Sequence, residues 1–102
     1  MIEKMTEKKK INLICERRLQ HYFSVTSKAL AIVKKSIIKG KEKEAKEIIS
    51  MAENYLSDAR HFEKQEHWVN AFAALNYSHG WLDCGVRLDI FNVKDDKLFT
   101  VK

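Results

Sequence analysis

The polar side chains of this sequence crowd into one stretch, "AFAALNYSHGWLDCGVRLDIF" at residues 71–91. Written as a helix, the stretch places Asn76, Gly80, Asp83 and Arg87 on one narrow stripe, with His79 beside it. Asp83 and Arg87 are four apart, in the acid-first order that lets opposite charges meet on a helix face. Amide, imidazole, carboxylate and guanidinium groups gathered this way could converge on a small ligand. The same groups could instead satisfy one another and fix helix register, because buried polar groups are as a rule hydrogen-bonded. In that preferred reading Gly80 admits a bulky neighbour such as Tyr55. A second stripe of small residues, Ala71, Ala74, Ser78 and Gly85, offers a place for another helix backbone to approach closely.

Other chemistries find less support. Arg60 and His67, with six residues between them, resemble the ribonuclease motif of HEPN proteins. They straddle an expected helix end, however, and do not share a face. His21, His61, His67 and His79 include no pair at i, i+4, and there is no Cys-x-x-Cys, so no metal is expected. Gly-rich phosphate loops and Gly-x-Ser-x-Gly elbows are missing, and no cofactor is called for. Nothing in these patterns demands an enzyme.

The elements that must position these residues read as helices throughout. The chain of 102 residues contains no Pro and only three Gly, which leaves little to interrupt a helix. Apolar residues recurring from Ile11 to Ile37 predict a first helix over 8–38, with Thr6 as its N-cap and Gly40 just past its end. Ala45, Ile48, Ala52, Leu56, Ala59 and Phe62 mark a second helix over 41–64, reached by a short turn. Phe72, Leu75, Leu82 and Val86 mark a third over 68–88. Short turns make consecutive helices antiparallel neighbours, giving an all-α, three-helix up-and-down bundle in a single domain. The first helix, of roughly 31 residues, would outreach its partners by about 12 Å. The apolar tail, residues 89–102, could turn a small hairpin at "KDDK" and lie on the bundle.

Residues 52–93 resemble the archaeal family called domain of unknown function 357. Tyr55, Asp58 and Ala59 match its second-helix pattern. Ala71, Phe72, Asn76, Tyr77, His79, Gly80, Leu82, Asp83, Gly85, Arg87 and Leu88 match that of the third. The resemblance implies a small three-helix bundle with no assigned activity, and it departs at "KQEH", where a Gly-containing turn is common. Tyr55 and Asp58 thereby join Asn76, His79, Asp83 and Arg87 as the candidate polar network or ligand stripe.

Charge and composition set the expected function class. The net charge of +5 divides unevenly: residues 1–43 hold twelve Lys and Arg against four Glu, and the rest hold seven against ten acids. A basic first half could attract nucleic acid, although no aromatic residues interleave its Lys runs. No apolar run approaches the roughly 20 residues of a membrane span, and "MIEKMTEKKK" has no apolar region behind it. A cytoplasmic protein follows by default, with Cys15 and Cys84 expected as free, buried thiols. The leading expectation is a non-enzymatic interaction module that binds a protein partner or itself through the first helix and the exposed edge of the bundle, with the overhang and tail expected to support a weak homodimer. The alternative is a nucleic-acid-associated protein, with HEPN-like ribonuclease chemistry at Arg60 and His67.

Overall fold

The computed structural model of the chain describes residues 14–99, in which three helices follow one another: α1 (Glu16–Lys34), α2 (Glu42–Lys64) and α3 (Trp68–Arg87). No strand occurs among the described residues. Polar ties show the directions. Gln20 bonds Glu63, Arg60 donates to Ser27 Oγ at 3.4 Å, and Lys34 pairs with Glu53 at 2.6 Å, so α2 descends as α1 ascends. Tyr22 on Phe72 and Thr26 on His79 run in step, so α3 rises again beside α1. The bundle is up-and-down, as its short turns require.

The tightest seam joins α2 and α3, and small residues make it so. Ala45, Ala52 and Ala59, seven apart, are wholly buried on α2, and they face buried Ala71, Ala74, Ser78 and Gly85 on α3. Ser78 Oγ donates to the Ala52 carbonyl at 2.7 Å, a reach of one short side chain from helix to backbone. Leu19, Phe23, Leu30 and Val33 of α1 close the core from the other side, together with Leu56, Leu75 and Leu82.

Both later helices end in the same hydrogen-bonded turn. His67 N–H bonds Phe62 O and Glu66 N–H bonds Glu63 O, the two closing bonds of a Schellman motif. At the end of α3, Ile90 N–H bonds Gly85 O and Asp89 N–H bonds Val86 O. The left-handed position is held by Glu66 (φ 61°) and Asp89 (φ 60°), where glycine is the usual occupant. "KQEH" therefore makes the glycine-type turn without the glycine.

Two expectations need correction. The first helix does not continue to residue 38. It stops at Lys34, where Lys35 and Ser36 N–H close on Ile32 and Val33 carbonyls and Ser36 Oγ donates to Ile32 O at 2.7 Å. Thr6 and the expected overhang lie outside the described residues. The tail forms no hairpin within the described residues. It pairs instead with the chain leaving α1: Ile38 N–H bonds Ile90 O, Asn92 N–H bonds Ser36 O, and Ile37 bridges Phe91 antiparallel. Its apolar side chains do lie on the bundle, with Ile90, Phe91 and Phe99 buried. Gly40, at φ 92°, serves the connection before α2, where its N–H bonds Glu42 Oε1.

Candidate functional site

α3 is the centre of the molecule, packed against α2 along one side and α1 along another. Its sequence sets up three distinct faces. The small residues face α2, while Phe72 and His79 turn to α1. Val69, Asn70, Ala73, Asn76, Tyr77, Gly80, Cys84 and Arg87 face solvent.

The candidate stripe is divided among these faces. His79 is turned inward and half-buried. Its Nε2 lies 2.6 Å from the Leu98 carbonyl, and its Nδ1 lies 3.1 Å from Thr26 Oγ1. A carbonyl only accepts, so Nε2 carries a proton and, in the neutral ring, Nδ1 accepts from the Thr26 hydroxyl. One imidazole thus ties α3 to α1 and to the tail. Asp83 is half-buried, whereas Asn76 and Arg87 are exposed. Tyr55 does not fill the space at Gly80. It meets Tyr77 edge-on, with ring centres 4.5 Å apart, and among the described residues nothing approaches within 4 Å of where a Gly80 side chain would stand. Asp58 is exposed on α2.

Three surface depressions take up the candidates, with Asn76, Gly80 and Tyr77 each lining two of them. The groove between α1 and α3, about 280 Å³, gathers Asn76, His79, Gly80 and Asp83 with Tyr22, Thr26, Lys97 and Leu98. A wider one between α2 and α3, about 470 Å³, holds Tyr55, Asp58, Phe62, Asn70 and Tyr77. A third, about 270 Å³, lies on the outer face of α3 between Asn76, Tyr77, Gly80, Trp81 and Cys84. Arg87 lines none of the three, so the four-residue ligand stripe is not assembled around one point. Arg60 is equally engaged elsewhere. Its guanidinium sits 4.9 Å from the Phe23 ring centre, on α2, while His67 lies beyond the helix in the following turn. The expected burial of the cysteines also fails: Cys15 and Cys84 are both free thiols, and both are exposed.

Thr26, Lys97, Leu98 and the outer face of α3 were not singled out by spacing. Thr26 carries a readable signal, since it is a polar residue in the apolar stripe of α1 and is buried. The outer face carries a stronger one. No Asp, Glu, Lys or Arg occurs from Trp68 to Leu82, in a chain that is 32% charged. Lys97 and Leu98 arrive only through the folding of the tail.

The sequence model of a family described as "Protein of unknown function (DUF357)" matches residues 21–91. The chain belongs to DUF357. The match takes in α1 from His21 onward, both later helices and the Schellman turn after α3. It ends at Phe91, so the outer face of α3 lies within the DUF357 region, and Lys97 and Leu98 lie beyond it. Comparison of this DUF357 chain with curated proteins and with solved structures gives no match.

Proposed function

We propose that the protein is a helical interaction module whose docking surface is the outer face of α3. The observation that carries this reading is the chemistry of that face: of its exposed residues only Arg87 is charged. Every exposed residue of α2, by contrast, is polar or charged. Surface helices of monomers keep charged and polar residues on the solvent side, whereas this face sets Val69, Ala73, Tyr77, Gly80 and Cys84 among two Asn and one Arg, an uncharged middle that suits a contact surface. Val69 and Tyr77 are 72% and 58% exposed, and Leu88, at the C-cap, is 63% exposed.

Gly80 supports the same reading. A glycine inside an exposed helix costs about 0.8–1.0 kcal/mol relative to alanine. No contact among the described residues requires it, because the space above it is open to them. A clear floor beside a projecting aromatic suits the close approach of another helix. Tyr77, braced by Tyr55, is a preorganised anchor of the kind that dominates protein interfaces.

The test is affinity capture from the native host, with the parent chain compared against Tyr77→Lys and Gly80→Leu. The captured set, the chain itself included, should be depleted for both variants. Retention of the same set by both variants would refute the docking face.

A further inference from the structure

We infer that the occupant of this face is a second copy of the chain, seated antiparallel, α3 against α3, with Tyr77 of each copy entering the depression at Gly80 of the other. The inference rests on the docking reading above and deepens it by naming the partner.

A two-fold interface must be self-complementary: if residue i meets j, then j meets i. The exposed row along this face is Val69, Ala73, Tyr77, Gly80, Cys84, Leu88. Reversed, it meets its own complement. Val69 comes level with Leu88, Ala73 with Cys84, and Tyr77 with Gly80. All three pairs are centred on one point, midway between Ser78 and His79. Large apolar residues meet at the two ends, small ones meet between, and the aromatic meets the glycine nearest the axis.

The shapes agree with the levels. The depression of about 270 Å³ at Gly80 is open to solvent, and Tyr77 stands at its rim, held out by the Tyr55 ring. Parallel pairing would set Tyr77 on Tyr77 and leave glycine facing glycine. Antiparallel pairing also opposes the two helix dipoles. Arg87 then falls level with Asn70 at the rim, where the amide oxygen can accept from the guanidinium, and no charge enters the middle.

The area sets the strength. A helix of 20 residues is about 30 Å long and roughly 10 Å wide, which gives about 300 Å² on each copy. The two copies together bury about 600 Å², below the roughly 1,000 Å² total expected of a stable complex, so the dimer is weak and exchanges rapidly.

The experiment uses the full chain, purified alone, in sedimentation equilibrium from micromolar to millimolar concentration. The parent mass should climb from 12.0 kDa towards twice that value. Gly80→Leu and Tyr77→Ser should stay monomeric over the same range, Gly80→Leu with a melting temperature at low concentration no lower than the parent's. The register is read with Ala73→Cys in a Cys15→Ser background under oxidised glutathione. A covalent dimer should form through Cys84 of the second copy and be lost on Cys84→Ser. Two Cys84 thiols cannot reach each other in this register, being about 16 Å apart along the opposed helices. A parent that stays monomeric to millimolar, a Gly80→Leu chain that dimerises like the parent, or a Cys84–Cys84 bond would each overturn the inference. A monomeric parent whose host-captured set still depends on Tyr77 would overturn the second copy and leave the docking face standing.

Discussion

Gly85 and Phe91 share one space: a side chain at position 85 would collide with the edge of the Phe91 ring and come within 3.2 Å of Ile48 Cδ1. Phe91 is the largest fully buried side chain described, and it is delivered to that space by the Schellman turn after α3. Gly85→Ala should therefore destabilise the fold by about 1–3 kcal/mol, the usual range for over-packing a core. Gly80→Ala should do the opposite, adding up to about 1 kcal/mol of helix propensity at an open position. Urea denaturation of both variants beside the parent checks the pair. Equal effects would mean that the two glycines are not distinguished by packing.

The imidazole of His79 holds the tail. His79→Phe keeps the ring but leaves buried Thr26 and the Leu98 carbonyl without their partner, a loss of about 1–3 kcal/mol. The effect should be local as well as global. Trypsin should cut the variant faster after Lys94 and Lys97 than it cuts the parent, under conditions where the helices remain folded. Cutting that rises only with global unfolding would show that His79 is not the latch.

Glu66 occupies the left-handed position after α2 at φ 61°. A residue with a Cβ is strained there by about 1–2 kcal/mol, which glycine avoids at some cost in unfolded-state entropy. Glu66→Gly should raise stability by roughly 0.5–1 kcal/mol, read as a rise in melting temperature. A fall would mean that the Glu66 side chain contributes more than its backbone strain removes.

What the sequence made legible follows from how local each cause is. The ranges of α2 and α3 could be read to within a residue, because the stripes are continuous and the turn between them is closed by their own backbone. The small stripe Ala71, Ala74, Ser78 and Gly85 was also readable: all four residues are buried, and Ser78 bonds the backbone of α2 at Ala52. The end of α1 was not, because Ile37 and Ile38 leave the helix to pair with Ile90–Asn92, about fifty residues on. The tail was misread for the same reason, its partner being distant. The spacing of Asp83 and Arg87 leaves open whether they are buried or solvated, and in the structure Arg87 is exposed. A solvated pair contributes about 0–1 kcal/mol, not the 3–5 kcal/mol lost when a buried pair is broken. Asn76, His79 and Asp83 share the groove between α1 and α3, while Arg87 lies outside it and Tyr55 and Asp58 line a different depression.

Asp95 gives the tail a pH dependence. Its Oδ1 accepts from Lys97 N–H at 2.7 Å and Leu98 N–H at 3.1 Å, and those bonds, with the Lys97 charge, hold its carboxyl below the ordinary 3.8. A depressed native value means that the contribution is complete above the unfolded value and is lost as pH falls through the native one. The Lys97 and Leu98 amide resonances should therefore titrate together with a midpoint below 3.8. Asp95→Asn should abolish that titration. A midpoint at or above 3.8 would show that the turn does not depend on the charged carboxylate.

Arg60 separates a structural role from ribonuclease chemistry. Its guanidinium covers the Phe23 ring and donates to Ser27, clamping α2 to α1. A cation over an aromatic face at an exposed site contributes about 0.5–1 kcal/mol, so Arg60→Ala should lower stability by about that much. His67 is exposed in the turn, and its two backbone bonds, to Phe62 O and from Ala71 N–H, use only the main chain, so His67→Ala should leave stability nearly unchanged. A HEPN-like site would couple the two differently: both variants would abolish cleavage of a single-stranded RNA to a similar degree. Binding of that RNA would also weaken steeply with salt, as counterion release requires when Lys and Arg meet phosphates. The expected result is an unequal effect on stability and no RNA cleavage by the parent. Salt-sensitive RNA binding with cleavage lost in both variants would transfer the function from the face of α3 to Arg60 and His67, with the basic first half as the RNA-binding surface.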